Sequence, residues 1–162
     1  MKKNKINLCS YGINPEKGRK YENITYVLAL IYNLLQAQVE KYLVPYGLST
    51  VHFNLLMQVA YQNEGKGISQ VHAATHLIAS ASNITKLVEK SVKDGLLIRK
   101  INPQSRRENI ICITKKGQEL IDKIWPGYDS LMNSLTEKIP SKDRSQMEKN
   151  LNNWLAELRQ EK

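Results

Sequence analysis

Between residues 81 and 114 the apolar spacing of the chain changes once, and that change limits what the segment can become. Ile84, Leu87 and Val88 share one face of a helix running from 81 to about 94, with Ser80 as its cap. Gly95 stands where a left-handed C-terminal cap is wanted. Residues 96–101 and 110–114 are rich in strand formers, and 102–109 between them reads as a turn. A helix followed by a β-hairpin with a basic tip, Arg106 and Arg107, is therefore expected.

The flanking residues are helical. Ser69 starts a short helix to about 76, after a turn over 63–67. Residues 21–44 carry Ile24, Val27, Leu28, Ile31, Leu34, Leu35, Val39 and Leu43 at steps mainly of three and four, and Pro45 and Gly47 end that helix. Ser49 or Thr50 caps the next, with Phe53, Leu55, Leu56, Val59 and Ala60 on its buried side. After the hairpin a helix spans 115–138, with a bend expected at Trp125-Pro126-Gly127. Past Pro140 a last helix places Met147, Leu151, Trp154, Leu155 and Leu158 on one side. The fold class is mostly α with a small β-hairpin wing.

Charge narrows the function. The chain carries 24 Lys/Arg and 15 Asp/Glu, a net charge of +9. Residues 1–20 hold six basic residues and one Glu, and residues 83–107 hold seven against Glu89 and Asp94, while 108–162 balance at nine of each. Clustered positive charge suits a polyanion, because neutralised phosphates release counterions. A solvated basic face without a partner is the bland alternative. No apolar run reaches the length of a membrane span, and no apolar stretch follows the basic Met1–Lys5, so a cytoplasmic protein is expected. Two cysteines, Cys9 and Cys112, make no disulfide framework. There is no phosphate loop, nucleophile elbow or paired acidic motif, so no enzyme and no cofactor is expected.

Short helix, turn, second helix and basic hairpin make the order of a winged helix-turn-helix. Its second helix can enter a major groove, where base edges are distinguishable. Here that helix offers Ser82, Asn83, Thr85, Lys86 and Lys90, while Arg106 and Arg107 on the hairpin suit phosphates or a narrow minor groove. The chain resembles the MarR family of bacterial regulators from about Tyr21 to Leu158. The resemblance is carried by Ile68-Ser69-Gln70, by Ser80-x-Ser82-Asn83-Ile84-Thr85-Lys86-Leu87-Val88-Glu89-Lys90, by Asp94-Gly95-Leu96-Leu97-x-Arg99, by Asn102-Pro103-x-x-Arg106-Arg107, and by Ile113-Thr114-x-x-Gly117.

That resemblance implies a transcriptional regulator, mostly a repressor, relieved by a small-molecule or oxidant signal. It implies an obligate homodimer on a pseudo-palindromic double-stranded DNA operator. Its DNA-binding residues are then Ser80, Ser82, Asn83, Thr85, Lys86, Lys90, Arg99, Arg106 and Arg107. The domains follow: 1–20 a basic arm, 21–48 a dimerisation helix, 49–114 the winged helix-turn-helix, and 115–162 the C-terminal dimerisation helices. A DNA-reading core of ~60 residues is marginal alone, which independently favours a partner surface.

Two departures from the family pattern stand out. Ser105 occupies a position where the family has Asp, which orients the wing arginine. Ser91 occupies an apolar position, and Val92 is expected to fill the core instead.

Other readings compete with bland ones. His72 and His76, four apart on a helix, could face one zinc, but a third ligand, His52 or Glu64, would have to come from elsewhere, and a metal site is not expected. The resemblance allows Cys9, with Tyr11, Tyr21 and Tyr26, to be an oxidant sensor, but Cys9 lies in the arm and not clearly in the first helix, and the bland alternative is an ordinary reduced thiol. Cys112 reads as packing or simple exposure. Tyr26, Tyr32 and His52 are candidates for an effector pocket between dimer helices and DNA-binding lobe, against plain interface packing. A winged-helix protein-interaction module without DNA binding is the alternative function. An RNA-binding winged helix would want stacking aromatics, which 80–107 lacks.

Overall fold

The computed structural model describes residues 7–13, 20–77, 81–102 and 105–160, with the backbone alone for 20, 64, 65, 76, 81, 82 and 105–108. Its elements in chain order are α1 (Lys20–Leu43), α2 (Thr50–Tyr61), β1 (Ile68–Ser69), α3 (Gln70–His76), α4 (Ala81–Lys93), β2 (Leu97–Asn102), β3 (Ser105–Ile113), α5 (Lys115–Thr136) and α6 (Ser141–Gln160). They form two compact units, Met1–Leu55 and Leu56–Lys162, with the division inside α2.

In the first unit, part of the expected arm is folded. Leu8–Tyr11 is a 3-10 turn whose cap, Asn7, accepts the Cys9 N–H at 3.1 Å. Gly12 closes the turn at φ 78°, a conformation that costs glycine little. Ile13 is buried, and the Tyr11 ring lies 6.4 Å from that of Tyr26 on α1. Along α1 only the C-terminal end is buried, at Val39 and Leu43, while Ile24, Leu28, Ile31 and Leu34 are exposed. Pro45 sits in a 3-10 turn, Val44–Tyr46, closed by Gly47 at φ 68°. Ser49 caps α2, its hydroxyl accepting the His52 N–H at 3.2 Å, and the Thr50 N–H donates to Glu40 at 2.9 Å. A side chain ten residues back thus satisfies one of the orphan donors at that helix start.

The second unit holds a three-stranded antiparallel sheet in the order β1-β3-β2. β1 is two residues long and pairs Ile68 with Ile111 and Ser69 with Ile110. No alternation can mark so short a strand, and it is absent from the sequence reading. The hairpin corrects a second expectation. β3 begins at Ser105 rather than 110, so the wing turn is far shorter than 102–109. The polar run Ser105–Asn109 resembles a turn in composition, but backbone pairing on an exposed hairpin needs no apolar side chain. Pairing runs from Leu97↔Ile113 to Ile101↔Asn109 and then jumps to Asn102↔Ser105, so Arg106, Arg107 and Glu108 fall within the shift.

Ser91 corrects a third. It is fully buried on α4 and Val92 only half-buried, so Val92 does not replace it in the core. The Ser91 hydroxyl donates to the Leu87 carbonyl at 2.7 Å, and that bond offsets burying a polar group. Cys112 is buried beneath Gly67, whose φ is +97° and where any Cβ would strike Cys112 Sγ and the Ile111 carbonyl. α5 is one continuous helix with Pro126 inside it, and buries Gly117, Ile121 and Ile124 near its start. Arg144 braces the step to α6 by donating to Ile139 O at 2.9 Å and Glu137 O at 3.1 Å. α6 buries no residue.

Candidate nucleic-acid interface

The candidate recognition helix is α4, and its two faces differ sharply. Ile84 and Val88 are fully buried, whereas Asn83, Lys86, Glu89 and Lys90 are exposed. Side chains three and four apart share a face, so Asn83, Lys86 and Lys90 form one polar stripe with two cations. Thr85 lies at the edge of that stripe, half-buried, and accepts a hydrogen bond from Gln70 Nε2 of α3 at 2.9 Å. Ser69 caps α3 by accepting the His72 N–H at 3.1 Å. The first helix of the pair and the second are thus tied by a specific bond as well as by packing.

The C-terminal end of α4 is fixed to the start of α5. Gly95 takes φ +72°, and its carbonyl accepts from the Thr114 hydroxyl at 2.7 Å. The same Thr114 oxygen accepts the Gly117 N–H at 3.0 Å, capping α5. Lys116 Nζ reaches the Asp94 carbonyl at 2.7 Å. A Cβ on Gly117 would collide with the Leu96 carbonyl oxygen. The two glycines and the threonine of the Asp94-Gly95 and Thr114-x-x-Gly117 motifs therefore have a shared physical reason: they let the turn after α4 and the first turn of α5 touch backbone to backbone.

On the wing, Arg99 is exposed on β2 opposite Ile111. With Ser69, Gln70, Val71, Asn109 and Ile111 it lines an open groove of about 390 Å³ at the root of the hairpin. Gln70 and Asn109 are not among the expected site residues. Charge marks neither, and although Gln70 ends the Ile68-Ser69-Gln70 motif, it is the pairing of β3 with both β1 and β2 that brings the two beside Arg99. Ser80 lies outside the described residues, as do Pro103 and Gln104, and of Ser82, Ser105, Arg106 and Arg107 the backbone alone is described.

The remaining candidates are dispersed. His72 Nε2 is 2.8 Å from Gln62 Oε1, and of His76 the backbone alone is described. Cys9 is exposed. Tyr26 and Tyr32 are exposed on α1, and Tyr32 Oη accepts from Gln36 at 2.8 Å. His52 is buried on α2. On α5, partial burial raises the Tyr128 phenol above its ordinary value, 5.7 Å from the Trp125 ring. No described helix is long and apolar enough to cross a membrane.

No family model matches the chain. The HTH-type transcriptional regulator MhqR of Bacillus subtilis is 28% identical over 116 residues, which span 69% of this chain and 78% of the relative. A MarR-family transcriptional regulator from Rhodococcus sp. RHA1 superposes with TM-score 0.71 at 27% identity, covering 83% of this chain and 93% of its own. CouR from Rhodococcus jostii RHA1, solved with p-coumaroyl-CoA, gives TM-score 0.71 at 27% identity over 81% and 90%. MepR of S. aureus, solved with DNA, shares the fold with TM-score 0.72 at 19% identity over 82% and 96%.

Proposed function

We propose that the chain is a winged helix-turn-helix transcriptional regulator of the MarR family, a homodimeric repressor that binds a pseudo-palindromic operator and lets go on a small-molecule or oxidant signal. The observation that carries the DNA half is the polar stripe of α4, with Asn83, Lys86 and Lys90 exposed beside a basic hairpin. Asn and Lys on such a stripe suit base edges in a major groove. Ser82 sits at the start of α4, where close approach of the backbone to DNA is easiest, and Ser80 precedes that helix in the sequence. Arg99, Arg106 and Arg107 suit phosphates or the minor groove. MepR, bound to DNA, supports the same use of the fold.

The homodimer reading rests on exposed apolar side chains. Met147, Leu151, Leu155 and Leu158 of α6 are 43–50% exposed, as are Ile24, Leu28, Ile31 and Leu34 of α1 to 39–65%. Large apolar faces of this kind mark interaction surfaces. On this reading 21–48 and 115–162 serve dimerisation, 49–114 reads DNA, and 1–20 is a basic arm. The effector half is supported by CouR, which holds p-coumaroyl-CoA, and by the tyrosines Tyr26 and Tyr32, with His52 as a polar partner. The exposure of Cys9 supports access for an oxidant. A DNA regulator of this kind works in the cytoplasm, and relatives of the chain are named as transcriptional regulators.

Selection from a random duplex pool, followed by titration at several salt concentrations, tests the reading. A preferred inverted-repeat sequence is expected. Arg106→Ala with Arg107→Ala should weaken preferred and unrelated duplexes together and flatten the salt slope by about one unit for each phosphate no longer neutralised. Failure to enrich any sequence would favour a protein-interaction module instead.

A further inference from the structure

We propose that Gln70 is a specificity-determining positioning residue, which sets the rotation of the recognition helix by holding Thr85, and that Thr85 acts through this bond and not by reaching DNA itself. The proposal rests on the DNA-binding reading above. Thr85 lies on α4 between Asn83 and Lys86, yet it is half-buried where they are exposed, and its hydroxyl accepts from Gln70 Nε2 at 2.9 Å. A half-buried oxygen committed to a neighbouring helix is poorly placed to read a base.

Gln70 is itself held from several sides. It is the first residue of α3, directly after the capping Ser69. Ser69 pairs with Ile110 of β3, so the backbone at Gln70 is anchored to the wing sheet. Gln70 also lines the groove that contains Arg99 and Asn109. One amide therefore links the root of the wing to the middle of α4. A helix packed by Ile84 and Val88 through apolar contact alone can roll by small angles, since dispersion and burial are not directional. A hydrogen bond at the edge of that face has a preferred distance and angle, and so selects one roll. Because Asn83, Lys86 and Lys90 project from the same cylinder, the roll decides which base edges they meet.

The test uses the full chain and four variants: Gln70→Met, Thr85→Val, the two combined, and Thr85→Ser. Met has similar length without the donor, Val matches Thr without the acceptor, and Ser keeps the acceptor. Each is put through duplex selection, and its affinity for the preferred and an unrelated duplex is measured beside its thermal midpoint. Gln70→Met and Thr85→Val should each lower the ratio of preferred to unrelated affinity about five- to tenfold and blur the selected sequence, with unrelated affinity unchanged. The double variant should lose no more than either single, and Thr85→Ser should behave as the parent.

Equal loss on both duplexes with Gln70→Met would overturn the proposal and make Gln70 a phosphate contact. Losses that multiply in the double variant, or a ratio unmoved by either single, would also overturn it. If the parent chain selects no sequence, the DNA-binding reading itself fails; if it selects one and the variants select the same one, only the positioning role fails. Thr85→Ser keeps the test decisive should a larger change impair folding.

Discussion

The corner joining α4, β2 and α5 and the helix α6 lie in one compact unit and solve opposite problems. At the corner, Ile84, Val88, Leu96, Leu97, Ile121 and Ile124 are all buried, and the backbone carbonyls of Asp94 and Gly95 are taken by Lys116 and Thr114. α6 is 20 residues long and buries nothing, although Leu151 and Leu155 are among its exposed residues. The corner is complete within one chain, while α6 has an apolar side that its own chain leaves in solvent. On the proposed reading, the difference separates what would keep the DNA-reading unit rigid from what a second subunit would cover.

The largest effect is expected at Gly117. A Cβ there would meet the Leu96 carbonyl oxygen and Ile113 Cδ1, and a carbonyl held between β2 and the turn cannot swing aside as a flexible side chain can. Gly117→Val should therefore destabilise the protein by about 3–5 kcal/mol, measured by urea unfolding, and abolish DNA binding. A loss under ~1 kcal/mol would mean that the corner is loose.

Next in size is α6. Leu151→Glu with Leu155→Glu should weaken subunit association at least ~100-fold, because two leucines no longer bury apolar surface and two charges must be desolvated. Sedimentation across a concentration series would show a monomer appearing, and the corner variant Lys86→Ala should leave the same profile dimeric. Unchanged association would remove α6 from the interface.

These two regions are not equally legible in the sequence. The helices are readable because an apolar step of three or four repeats over many residues, as from Ile24 to Leu43. The corner is readable as a motif, since Gly95, Thr114 and Gly117 stand at fixed spacing, but its reason is not, because the collision that forces glycine involves Leu96, twenty-one residues away. β1 escapes because two residues carry no period. The wing turn misleads because polarity at Ser105–Asn109 mimics a loop, when the strand continues on an exposed hairpin. Val92 is expected in the core only if an apolar side chain is needed there, whereas a serine can satisfy its own hydroxyl on the helix. For the site, Asn83, Lys86 and Lys90 are legible from charge and face, but the Gln70–Thr85 bond is not, since it depends on how two helices meet.

A smaller effect sharpens the role of the corner in reading DNA. Asn83→Ala and Lys86→Ala, on the exposed side of α4, should each cost ~1–3 kcal/mol on the preferred duplex and relax preference at particular base pairs. Their urea midpoints should stay at the parent value, because neither side chain contributes to the buried face. A variant that lost stability in step with affinity would show that the stripe supports the helix rather than contacts bases.

The smallest expected effect is at Ser91, and it asks what holds the corner shut. Ser91 has no exposed surface and its hydroxyl donates to the Leu87 carbonyl at 2.7 Å. Changing it to Ala removes that bond, which is worth about 1 kcal/mol. It also improves helix propensity by roughly 0.5 kcal/mol and leaves no buried hydroxyl to satisfy. The terms nearly cancel, so Ser91→Ala should shift unfolding by less than ~1 kcal/mol and leave the selected DNA sequence unchanged. Ser91→Leu tests the same space from the other side. If the pocket is closed by the backbone contacts of Gly95, Leu96, Thr114 and Gly117, a larger side chain has nowhere to go and should cost ~1–3 kcal/mol. Equilibrium unfolding of both variants separates the cases. A large loss for Ala would make the buried hydroxyl an anchor of the corner, and a gain for Leu would reveal slack there; either result would erase the contrast with α6 drawn above.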